Sequence, residues 1–136
     1  MIDFESDYFQ KFSFSSEEEA RFFGVALRDL KIAEQSDVLE VAFKFSYDAL
    51  IKFGIVCIAK SGYKVRSVPG HHVKILEKLS VLLHDETIAI LGNRMRQIRN
   101  FDFYGGGTEI TEKESEEYLR FVKKAKEETE KFLERN

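Results

Sequence analysis

The chain has 136 residues, 43% hydrophobic and 33% charged, with a formal net charge of −3 at pH 7. Thirteen Phe and five Tyr accompany one Pro, one Cys and no Trp. That length supports one domain with a real core, the scarcity of Pro and Gly argues against an all-β sandwich, and the lone Cys57 excludes a disulfide framework or a cysteine-rich zinc site.

Residues up to Phe14 mix aromatics with charges and show no clean period, which predicts an extended or short helical lead-in. Met1-Ile2-Asp3-Phe4-Glu5 lacks the basic start and apolar run of a secretory signal. The longest apolar stretch, Phe53 to Ala59, is too short to span a bilayer, so the expected location is the cytoplasm, away from membranes. The near-balanced charge predicts no broad electrostatic grip on nucleic acid.

Ser15-Ser16-Glu17-Glu18-Glu19 reads as a helix start, with Ser15 and Glu18, or Ser16 and Glu19, as a capping box. Phe23, Ala26, Leu27 and Leu30 then recur at helical spacing, to about Glu34. Asp37 and Glu40 open a longer helix, in which Val38, Val41, Ala42, Phe45, Ala49, Phe53, Val56 and Cys57 keep the 3.6-residue period up to a Gly62 cap. Cys57 falls on the apolar side and reads as a buried small hydrophobe, while Asp48 and Lys52, four apart, read as an exposed ion pair.

Pro69 is placed to begin a third helix, carried by Val73, Leu76, Leu79, Leu82 and Leu83. Asp85 caps a fourth, with Ile88, Leu91, Met95 and Ile98 as its apolar stripe. Gly105-Gly106-Gly107 forms a connector, and Thr111 with Glu114 opens a last helix whose inner face is Tyr118, Phe121, Val122, Ala125, Phe132 and Leu133. The expected fold is all-α: a single domain over residues 1–136 with its core at about 15–134, a four-helix up-and-down type bundle with an N-terminal lead-in or short extra helix.

The chemistry-bearing stretch is Arg94 to Tyr104. Arg96, Arg99 and Asn100 share one helix face, rotated from the Leu91/Met95/Ile98 stripe, and Tyr104 stands at the helix end before the glycines. Arginines in this arrangement bind phosphate oxygens bidentately; they also stabilise a helix C-terminus, the plainer role. His71-His72 diverges by about 100° on a helix and is a poor chelate, so it reads as a polar helix start facing a loop, and no metal or cofactor is expected.

Several pieces in order resemble the HEPN superfamily, small helical bundles of prokaryotic toxin–antitoxin and defence systems. Tyr47-Asp48-Ala49-Leu50 resembles its Tyr-x-Ala-Leu helix, and Ser61-Gly62-Tyr63-Lys64-Val65-Arg66 its short Gly-Tyr-basic connection. Gly70-His71-His72 resembles the stretch that follows, and Arg99-Asn100 with Tyr104 falls where the family carries Arg-x4–6-His. The resemblance spans roughly residues 20–133. It implies a homodimer and a partner nucleotidyltransferase encoded nearby. In catalytic members the Arg and His cleave RNA without a metal. Here the His is absent: Phe103 and Tyr104 stand four and five residues after Arg99, and Gly106 replaces the Tyr that a partner enzyme modifies.

The resemblance therefore implies an RNA-, nucleotide- or partner-binding protein acting through Arg96, Arg99, Asn100 and Tyr104, without catalysis. One alternative is an atypical metal-independent endoribonuclease with Arg99 and Tyr104 as its catalytic pair; another is a purely structural assembly module. Phe4, Phe9, Phe12 and Phe14 lie outside the regular helices, and Phe101 and Phe103 flank Arg99. This surplus of rings predicts a homodimer interface close to Arg99 and Tyr104.

Overall fold

The structure is a computed structural model that describes residues 2–104 and 110–135, with the backbone alone over 101–104. It is a mostly helical bundle with a small sheet. In chain order the elements are β1 (Phe9–Lys11), α1 (Ser16–Gln35), α2 (Leu39–Lys60), β2 (Tyr63–Val65), α3 (His71–Leu82), α4 (Glu86–Tyr104) and α5 (Glu112–Glu134). Both expected capping boxes are present, Ser15 with Glu18 and Thr111 with Glu114. The Asp85 carboxylate accepts from the Thr87 N–H at 3.0 Å and caps the start of α4.

Two boundaries differ from the sequence expectation. α2 begins at Leu39 with Val38 as its N-cap, because the Ser36 hydroxyl accepts from the Val38 N–H at 3.2 Å and holds residues 36–38 in a turn. α3 begins at His71, after Pro69. Gly70 sits between them at φ +82°, a left-handed conformation that favours glycine.

α2 is the central element. From Ala42 to Ala59 it is buried on nearly every side, while Val38 and Val41 are exposed. The mixed apolar pattern over this stretch follows from that position, since a helix covered all round needs no polar face. α1 covers one flank through Ala26, Leu30 and Ala33, and α5 covers another through Tyr118, Val122 and Ala125. Phe43 and Tyr118 meet edge-on at 5.6 Å between α2 and α5.

α3 approaches α2 closely at Gly54, where an added Cβ would collide with the Ile75 side chain. α4 packs on α3 at Gly92, where an added Cβ would lie 2.7 Å from a Leu76 methyl. Of the expected α4 stripe, Ile88 and Met95 are fully buried and Leu91 and Ile98 half-buried.

The lead-in takes the extended form and pairs antiparallel with β2 in the register Phe9↔Val65, Gln10↔Lys64 and Lys11↔Tyr63. Its rings have partners within the chain. Phe4 stacks on Tyr63 at 4.2 Å and meets Phe9 edge-on at 5.4 Å, and Phe14 meets Phe22 at 5.0 Å. The side chains of Phe101 and Phe103 lie outside the described residues, as does the Gly105-Gly106-Gly107 connector. Glu5 bridges Lys74 at 2.7 Å and Lys78 at 2.6 Å, fastening the lead-in to α3.

The expected Asp48–Lys52 pair does not form. Asp48 takes Lys44 at 2.9 Å, and Lys52 crosses to Asp29 of α1, whose carboxylate is fully buried and needs a cation. Among the described residues, no helix is long and apolar enough to cross a membrane.

Candidate functional site

Arg96, Arg99 and Asn100 project from the last part of α4 into a groove of about 460 Å³ whose other wall is the 67–73 segment, the approach to α3 and its first turn. All three are half-buried. The Arg96 Nε donates to the Asn93 side-chain carbonyl at 3.3 Å, which ties its guanidinium back along α4. The Arg99 guanidinium lies 5.7 Å from the centre of the Tyr47 ring, a cation–π contact with a side chain buried in α2. The face read from the sequence as shared by Arg96, Arg99 and Asn100 therefore lines one cleft. The side chain of Tyr104, the fourth expected member, lies outside the described residues.

His71 and His72 complete the groove. They stand at the start of α3 facing the 67–70 loop, as expected. Both also line the cleft with the arginines, which was not expected, because the close packing of α3 on α4 brings the start of α3 against the end of α4. Their rings meet edge-on at 4.6 Å. His71 Nδ1 lies 2.9 Å from the Val68 carbonyl, which can only accept, so that nitrogen carries the proton and Nε2 is turned to other uses. His72 Nδ1 shares a hydrogen bond of 2.9 Å with the Tyr47 hydroxyl.

Burial pushes the His72 pKa down to about 4, helped by neighbouring His71, Arg99 and Arg96, so this ring is neutral at pH 7. Burial also raises the Tyr47 hydroxyl well above its ordinary range, keeping it a neutral hydrogen-bonding group. The signal that could have flagged the histidines was their position at the start of a helix preceding the arginine helix. Spacing alone could not show it, since more than twenty residues separate them.

Among the described residues no carboxylate lines the groove. On a chain of net charge −3 this concentrates positive charge at one place. Two guanidiniums, a carboxamide and two imidazoles suit an anion with several oxygen acceptors, and the uncapped first turn of α3 adds N–H donors of the same sign. Cys57 is fully buried and its thiol is pushed up to about 12, which leaves it inert. No group of three or more metal-ligating side chains occurs among the described residues.

Fold and site together define a helical bundle carrying a cationic, histidine-lined groove. No protein-family model matches the chain, nor does any curated protein or solved structure compared with it.

Proposed function

We propose that this chain is a HEPN-like protein of a prokaryotic toxin–antitoxin or nucleotidyltransferase-associated system that binds the phosphates of RNA or a nucleotide without catalysis. The observation that carries the reading is the convergence of Arg96, Arg99 and Asn100 on a groove free of carboxylates among the described residues. A cytoplasmic homodimer beside a nucleotidyltransferase partner belongs to the same reading and rests on the sequence resemblance. The test is fluorescence anisotropy with a labelled single-stranded RNA at two salt concentrations. Arg99→Ala and Arg96→Ala should each weaken binding about tenfold, and each should lower the salt slope by about one. Binding unchanged in both variants would overturn the proposal.

A second reading, the metal-independent endoribonuclease, is favoured by one specific observation: two imidazoles share the groove with Arg96 and Arg99. The proton-transfer group would then come from α3. His71, with Nδ1 held by Val68, would present Nε2 to a ribose hydroxyl or leaving oxygen, and Arg99 would hold the phosphate charge. RNA incubated with the protein in EDTA decides between the two readings. Cleavage abolished by His71→Ala and by Arg99→Ala would establish the enzyme; intact RNA would leave the binding protein.

A further inference from the structure

A second cavity, of about 240 Å³, shares Ser67, His71 and His72 with the cationic groove. Its remaining walls are mainly apolar, with Lys64 of β2 as their one charged side chain. Phe14 and Phe22 enter from α1 and its approach, Ile51 and Ile55 from α2, Tyr63 from β2 and Ile75 from α3. Phe14 and Phe22 are half-buried and meet edge-on, so part of each ring faces the cavity's side of the chain. Folding has left a mainly aromatic and aliphatic cavity beside a phosphate-type groove, and the two histidines line both.

The two volumes constrain the occupant. At about 240 Å³ the apolar cavity falls below the roughly 300–1,000 Å³ of a site for a drug-sized molecule, whereas the groove lies within that range. A compact hole admits one flat ring system and excludes a long acyl chain. An aromatic-walled cavity next to a cationic groove suits a base by stacking and a phosphate by charge.

We propose that the paired cavities form a single site for a nucleoside phosphate, with the phosphate between Arg96, Arg99 and Asn100 and the base against Phe14, Phe22 and Ile55. The ligand is a free nucleotide or an unstacked residue of single-stranded RNA, which present the same chemistry. The inference rests on the phosphate-binding reading above and adds the base subsite to it.

Calorimetric titration with adenosine 5′-monophosphate and with ribose 5-phosphate tests it. The monophosphate should bind about tenfold more tightly, the gain from burying and stacking one base. Ile55→Trp, which fills the apolar cavity, should bring the monophosphate down to the level of ribose 5-phosphate and leave the latter unchanged. Methyl NMR of the unaltered protein gives an independent readout: Ile51 and Ile55 resonances should shift with the monophosphate and stay still with ribose 5-phosphate.

Equal affinities with unmoved methyls would overturn the base subsite while leaving the phosphate groove intact. Phosphate binding indifferent to Arg99→Ala would instead overturn the groove reading. A single-stranded oligoadenylate that displaces the monophosphate and moves the same methyls identifies RNA as the source; displacement failing, the free nucleotide is the ligand.

Discussion

The Tyr47 hydroxyl and His72 Nδ1 lie 2.9 Å apart, and the Arg99 guanidinium stands over the same Tyr47 ring. One fully buried tyrosine of the central helix thus contacts both sides of the groove, a histidine from α3 and an arginine from α4. The groove is organised from beneath, by the core.

This relationship predicts the behaviour of Tyr47→Phe. The variant keeps the ring and loses one hydrogen bond, so its stability should fall by about 1 kcal/mol. Burial, the largest cause of the low His72 pKa, remains, so the ring should still titrate near 4 in a histidine NMR titration. A midpoint back near 6.5 would show that the hydroxyl, and not burial, keeps the ring neutral. In the unaltered protein the unfolded state takes up this proton first as pH falls. Stability should therefore decline from pH 6.5 towards 4 on account of His72.

Glu128 gives a dependence of the opposite sign. Burial, and then the neighbouring Asp85, raise its pKa to about 7. The unfolded chain releases this proton near pH 4.5 while the folded chain retains it, so this group's stabilisation is complete below 4.5 and is lost as pH rises to about 7. Glu128→Gln removes the penalty. Relative to the unaltered protein it should gain about 1 kcal/mol at pH 8, after allowance for solvent screening, and almost nothing at pH 4. Urea unfolding midpoints at the two pH values check this; an equal effect at both would rule out a titration origin.

Glu5 fastens the lead-in to α3. Hydrogen bonds from Lys74 and Lys78 hold its carboxyl down at about 2, so its contribution is present above pH 4.5 and is lost as pH falls towards 2. Lys78 is only 6% exposed at its side chain, so Glu5→Gln takes the nearer of two carboxylates from a buried ammonium and leaves it Glu77 at 3.4 Å. We expect a loss of about 2 kcal/mol at pH 7, less than for a fully enclosed pair because Glu5 itself is partly exposed. Hydrogen exchange should locate the change, with faster exchange at Phe9–Lys11 and Tyr63–Val65 than in α5.

Gly54 sets the spacing of α2 and α3. Its replacement by alanine drives a methyl group into the Ile75 side chain and should cost about 1–3 kcal/mol. Gly54→Ala combined with Ile75→Ala should be less destabilised than the two single changes together, because the second opens the space the first needs. Additive losses in chemical denaturation would place the cost of Gly54→Ala elsewhere.

Local signals in the chain specify the five helices and most of their ends, the starts of α2 and α3 excepted. Ser15 with Glu18, Thr111 with Glu114 and Asp85 with Thr87 act over two or three residues, so these signals are complete in the local chain. The sequence also places Arg96, Arg99 and Asn100 on one face, because helical periodicity alone dictates that. What that face meets depends on packing between distant parts of the chain. His71 and His72 belong to the groove because α3 packs on α4 at Gly92 and Leu76, and Lys52 leaves its neighbour Asp48 because a buried Asp29 on another helix needs a cation. β1 and β2 are three residues each and stabilise only as a pair, more than fifty residues apart in the chain. Each of these depends on contacts across the chain, where no short-range pattern carries the information.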